Sequence, residues 1–123
     1  MAIELLSKVV KKGELAVEPV EILLAPAAAG TATLDLSNFR DFWITMPAGN
    51  ITIALSNETF GNIFMAHITQ DATGSRTVTW FATIRWAGNV VPVLTTTANK
   101  RDTFGFVRTG VNTYDGFVVG KNI

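Results

Sequence analysis

Cysteine is absent from the 123 residues, which removes disulfide staples, thiolate metal ligands and cysteine nucleophiles at once. Charge is scarce: 16% of the residues are Asp, Glu, Lys or Arg, against roughly 25% in an average soluble domain. Ten basic residues cancel ten acidic ones, so no electrostatic field is available to hold a phosphate backbone or an anionic lipid surface. Long hydrophobic runs are missing too. The longest, residues 22–29, is interrupted by Pro26 and falls far short of the ~20 residues that span a bilayer. Neither a nucleic acid nor a membrane is expected as a partner. Ala27, Ala28 and Ala29 superficially resemble a signal-peptide cleavage site, but Glu14, Glu18 and Glu21 leave no continuous apolar core ahead of them.

What remains is apolar material. With 48% hydrophobic residues on a chain long enough for one small domain, the composition implies surface shared with neighbours. It is also unevenly distributed. All 16 threonines and all 12 aromatic residues follow Gly30, whereas four of the five glutamates precede Ile22. Threonine and aromatic side chains suit a pleated sheet, where branching and flat rings pack without the rotamer loss they suffer in a helix. Residues 30–123 therefore read as a β domain, and residues 1–29 as a separate helix and arm.

Within the arm, Ala2, Leu5, Leu6, Val9 and Val10 recur at helical spacing opposite Lys8, Lys11 and Lys12, with Gly13 as a stop. Val20, Ile22 and Leu24 then alternate behind Pro19 as an extended arm or edge strand. These pieces either pack on their own domain or dock on another subunit. In the docking case, Leu5, Leu6, Val9, Val10, Val20, Ile22 and Leu24 are the attachment residues.

After Gly30 short strands alternate with turn residues. Strands are predicted at 31–36, 42–46, 51–55, 63–70, 76–81, 83–86, 103–107 and 114–119, and no internal repeat indicates a solenoid. The segment 63–70 is apolar on both faces, which marks a central strand or one sandwiched between subunits. Asp71 and Gly74 define a tight turn. About eight strands at ~10-residue spacing indicate an all-β fold, an antiparallel β-sandwich or jelly-roll-like module, preceded by the N-terminal helix and arm.

Three stretches carry a resemblance: ITQDATGSRTVTW from Ile68 to Trp80, IRWAGNVVPVLTTTANKRDTF from Ile84 to Phe104, and YDGFVVGKNI from Tyr114 to Ile123. In content, order and spacing, residues 49–123 resemble a module found at the C-terminal ends of many tailed-bacteriophage tail fibre and virion proteins. The sequence departs from that pattern at Ala87 and Asn89, where relatives are rich in proline and glycine, and at Tyr114, where tryptophan is common. The first 48 residues match more weakly. The resemblance implies a virion protein, synthesised in the bacterial cytoplasm, structural rather than enzymatic. The chain starts at its own Met1 with no fibre shaft, which points to a capsid decoration, head fibre or small tail subunit attached to another virion protein through its arm. Low charge and two-faced strands add the expectation of a homotrimer.

Chemistry finds little footing. His67 stands on an apolar strand with no local motif to orient it, so a structural role is expected. One histidine and no cysteine leave only carboxylates for a metal, and Asp71 and Asp115 sit in glycine-containing turns that use carboxylates for their own backbone. No cofactor is expected. Glycan cleavage needs two carboxylates facing a cleft, and the aspartates cannot be paired from sequence. If a host surface glycan is bound, flat aromatic faces would carry it. Trp43 and Trp80 are expected to pack, whereas Trp86 and Tyr114, flanked by turn residues, are the candidate receptor contacts.

Overall fold

The computed structural model describes residues 20–23, 30–60, 62–81 and 83–123, the first of these by backbone alone. Leu5, Leu6, Val9, Val10 and Leu24, with the predicted helix, lie outside the described residues. Among the described residues nine strands form two sheets: β1 (Val20–Leu23), β2 (Thr31–Asp35), β3 (Asp41–Thr45), β4 (Ile51–Ser56), β5 (Ile63–Thr69), β6 (Val78–Thr79), β7 (Thr83–Trp86), β8 (Arg101–Gly110) and β9 (Thr113–Gly120). The larger sheet has the order β1-β3-β5-β8-β9-β7 and the smaller one β2-β4-β6. The two pack as a β-sandwich, the architecture the strand spacing predicts.

Strand alternation sets the layers. Ala32, Leu34 and Leu36, then Ile51 and Ile53, point inward from the smaller sheet, while Thr31, Thr33 and Thr52 face solvent. From the larger sheet Phe42, Ile44 and Met46, then Phe64, Ala66 and Ile68, meet them. Phe104, Phe106 and Tyr114 of the last two strands complete one continuous core. Segment 63–70 is central as its two-faced pattern predicts, since β5 lies between β3 and β8.

Strand polarity differs from the antiparallel expectation. Five of the seven pairings are parallel, and only β5 with β8 and β8 with β9 run antiparallel. The reason is the path of the chain. Short links such as residues 36–40 and 46–50 read as hairpin turns, but each carries the chain across to the opposite sheet. Strands β1 to β6 thus alternate between layers and wind as a flattened coil. Each strand pairs in parallel with the one a turn of coil away: Val20 with Asp41, Thr31 with Thr52, Asp41 with Met65. A solenoid-like section is therefore present where no repeat was expected.

The arm and the β domain also meet. β1 pairs in parallel with β3, Val20 opposite Asp41 and Ile22 opposite Trp43, so four residues ahead of the Gly30 break belong to the larger sheet. The strand addition expected of Val20 and Ile22 is made within the chain.

Turn chemistry follows the expected residues. The Asp71 carboxylate accepts the N–H groups of Thr73 at 3.2 Å and Gly74 at 2.8 Å and pairs with Arg76 at 2.9 Å. Gly74 has φ +81°, and a Cβ there would lie 2.4 Å from the Thr96 carbonyl oxygen, so no other residue fits.

Candidate interaction surface

The hairpin β8–β9 outruns its cover. β7 pairs with β9 only over Thr113–Gly116; past Trp86 the chain turns away through a 3₁₀ turn whose Gly88 and Asn89 take φ of 65° and 62°. Residues 117–120 are left with one edge that no strand pairs among the described residues. An open strand edge carries backbone donors and acceptors ready for another chain.

That edge is also apolar. Phe117 is 51% exposed, Val118 48% and Val119 57%, and Val90, at 68%, lies across a groove from the first two. Val90, Pro92, Phe117 and Val118 line one groove with Trp86. Gly116 makes the close packing there possible, because a Cβ would lie 2.6 Å from the Trp86 ring and 2.7 Å from Ile84.

Asp102 holds this corner together. It is 1% exposed, accepts the backbone N–H groups of Thr95 at 2.6 Å and Asn122 at 2.9 Å, and pairs with Lys121 at 2.9 Å. Lys121 in turn donates to the Val93 carbonyl, and the backbones of Arg101 and Ile123 exchange two hydrogen bonds. Burial alone would raise the Asp102 pKa, but the two backbone donors and the Lys121 ammonium outweigh it and hold the carboxyl below its usual range. Asp102 thus ties its own strand to the segments around Thr95 and Asn122.

The two aromatic receptor candidates lie inside. Tyr114 is 0% exposed, boxed by Phe64 at 6.0 Å and Phe81 at 5.2 Å, and its hydroxyl donates to Glu58. Burial and the Glu58 carboxylate push its pKa up to about 12, while the Tyr114 hydrogen bond lowers that of Glu58. No face of this ring is open to stack on a sugar. Trp86 is 8% exposed, packed on Trp80, Phe104 and Phe106, and reaches solvent as a wall of the groove.

A polar chain on the outer face of the larger sheet is a constellation that sequence reasoning missed. His67 Nε2 lies 2.6 Å from Asp41 Oδ1, and its Nδ1 2.9 Å from Thr103 Oγ1. Register makes it: Trp43 is opposite His67 and His67 opposite Thr103 across three neighbouring strands. Trp43 stacks on the imidazole at 3.9 Å, and Arg101 sits 5.0 Å from the Trp43 ring centre. The carboxylate expected to be missing for His67 is thus supplied from 26 residues away. Both imidazole nitrogens are engaged and Thr103 is buried, so the arrangement links strands and orients the ring. Trp80, by contrast, packs against the core as expected. Among the described residues no group of three carboxylate or histidine side chains is placed to hold a metal ion.

The chain matches no known family model, no curated protein and no solved structure.

Proposed function

We propose that this chain is a structural protein of a bacteriophage particle, a capsid decoration, head fibre or small tail subunit, that works through protein–protein contact as a homo-oligomer. The observation that carries the reading is the edge of β9 past Gly116, where Phe117, Val118 and Val119 stand half exposed with no strand paired beyond them among the described residues. Half-exposed apolar side chains on an open strand edge are a liability for a lone molecule and an asset for an assembled one. The resemblance of residues 49–123 to tail fibre modules supplies the setting. A homotrimer is the expected assembly, and attachment to another virion protein falls to residues ahead of β1, with Leu5, Leu6, Val9 and Val10 as its apolar contacts.

The test is binding of purified protein to phage particles that lack it, against adsorption to host cells. Decoration of particles that is lost on deleting residues 1–19 supports the structural role. Adsorption to cells in competition with infection, with no affinity for particles, overturns it in favour of a receptor-binding fibre tip that recognises a host glycan.

A further inference from the structure

We infer that the groove beside Glu58 is a binding site for a neutral saccharide. The inference goes beyond the structural reading and does not depend on it. The groove exists because the ladder of the smaller sheet stops early. β6 is two residues long and pairs with β4 only at Ile51 and Thr52, so from residue 53 onwards this flank of β4 has no strand beside it among the described residues. Trp80 and Phe81 follow β6 directly without continuing the ladder. Together with β4, with Glu58 of the 3₁₀ turn and with Asn112 of the β8–β9 turn, they line a space of about 330 Å³, at the small end of the ~300–1,000 Å³ that ligand pockets occupy.

The lining joins an aromatic wall to groups that exchange hydrogen bonds. Trp80 is half-buried and packs on Phe104 at 5.0 Å and Phe106 at 5.5 Å, so its ring is fixed before a ligand arrives. Thr52 and Asn112 are exposed and offer a hydroxyl and a carboxamide, and Glu58 offers a carboxylate. A pyranose has the matching character: C–H groups on its ring faces suit an aromatic wall, and the hydroxyls on its rim both donate and accept.

Charge narrows the class. Glu58 by itself would favour a cation, but Arg108 Nε stands 3.7 Å from its Oε1 and compensates it. A phosphate, sulfate or uronic acid would meet the carboxylate's repulsion. A neutral hydroxyl can donate to it, since a carboxylate has about four acceptor sites and two are taken, by the Tyr114 hydroxyl and, at 3.3 Å, by the Asn112 N–H. Those contacts also hold the carboxylate in place, so little freedom is lost on binding.

The experiment titrates the isotope-labelled full chain with maltotriose and the N-acetylglucosamine trimer as neutral sugars, trigalacturonate as an anionic sugar and choline as a cation. The readouts are the Trp80 indole N–H and the Asn112 side-chain amide in NMR spectra. A neutral trisaccharide is expected to shift both signals with a Kd on the order of 1 mM, and trigalacturonate and choline to bind about tenfold more weakly or less. A bacterial surface polysaccharide run alongside identifies the source: tighter binding than the trisaccharides marks a cell-surface glycan and weaker binding a free sugar, and both support the site. Asn112→Gly is the deciding variant. It suits the positive φ of 53°, keeps the backbone bonds to Glu58 and Thr83 and removes the carboxamide alone, so the fold stays and the Trp80 shift is expected to need about threefold to tenfold more sugar. Thr52→Ala, on the exposed side of β4, is expected to act in the same direction. The site is overturned by a Trp80 signal that no saccharide moves at about 10 mM, by shifts that Asn112→Gly leaves unchanged, or by a preference for choline or trigalacturonate. The virion role stands or falls separately, on particle binding.

Discussion

The coiled half of the molecule, β1 to β6, and the closing hairpin, β8–β9, solve the same problem differently. In the coil each short strand pairs with one a turn away, and the outward residues of β2 and β4 are mainly threonine, alanine and serine. In the hairpin the strands reach 10 and 8 residues, longer than any neighbour in the coil, and the surplus of β9 emerges with Phe117, Val118 and Val119 half exposed. Length beyond the available cover is what converts a core-type sequence into a surface. The same alternation that buries Phe104 and Phe106 leaves apolar side chains in the open once the layer above ends.

The sharpest way to break this contrast is at the seam where the halves join. Phe64 of the coil packs on Phe106 at 5.1 Å and on Phe42, Phe81 and Tyr114. Phe64→Ala is expected to cost about 3–5 kcal/mol, measured by urea denaturation. Both halves should unfold in one transition; two separate transitions would show that the coil stands by itself.

A smaller effect isolates the hairpin corner. Asp102→Ala removes the acceptor of two partly buried backbone N–H groups, an expected loss of about 1–3 kcal/mol. The same group makes stability acid-sensitive. Its folded pKa lies below the unfolded value of ~3.9, so its contribution is complete above that value and is lost as pH falls through the lower folded one. Wild type should therefore lose stability on acidification more steeply than Asp102→Ala, as followed by thermal melts between pH 5 and 2.

The mildest probe is the hydroxyl that joins the coil's Glu58 to the hairpin's Tyr114. Tyr114→Phe is expected to cost about 1–2 kcal/mol. Because the chain has one tyrosine, absorbance at 295 nm reads Tyr114 alone. The phenol should stay protonated to about pH 12 in the folded protein. A raised pKa gives stability that is intact below the unfolded value of ~10 and is lost as pH climbs towards the folded one. Titration near 10 in the folded state would contradict the burial.

Much of the fold was legible because burial follows period-two patterning. The strands at 31–36, 42–46, 51–55, 63–70 and 83–86, and the final pair, fall where alternation and turn residues put them. Segment 76–81 was overread: only Val78 and Thr79 are strand, its flanks following Asn50, Gln70 and other loop partners. Polarity was not legible, because a five-residue link looks the same whether it reverses a strand or crosses to the other layer. One trace exists in retrospect. Thr-x-x-Leu at 31–34 recurs at 52–55, and Ile-Thr at 44–45 recurs at 68–69, and both pairs stand in register. The Asp41–His67–Thr103 chain left no trace, since it is created by register between strands far apart in sequence. Tyr114 and Trp86 were misplaced for a related reason: adjacent turn residues suggest exposure, whereas the direction in which each ring points depends on its strand face.

Coiling between two layers also orders the making of the protein. In synthesis from the N-terminus, a chain complete to residue 79 already contains every strand of the smaller sheet and three of the larger. What it lacks is the lid of Phe106 and Tyr114, against which Phe64 finally closes. The hairpin that covers Phe64 begins some 20 residues later in the chain. Because distant pairings must first overcome loop closure, docking of that hairpin is the expected slow step of folding, which refolding kinetics of Phe106→Leu against wild type would check.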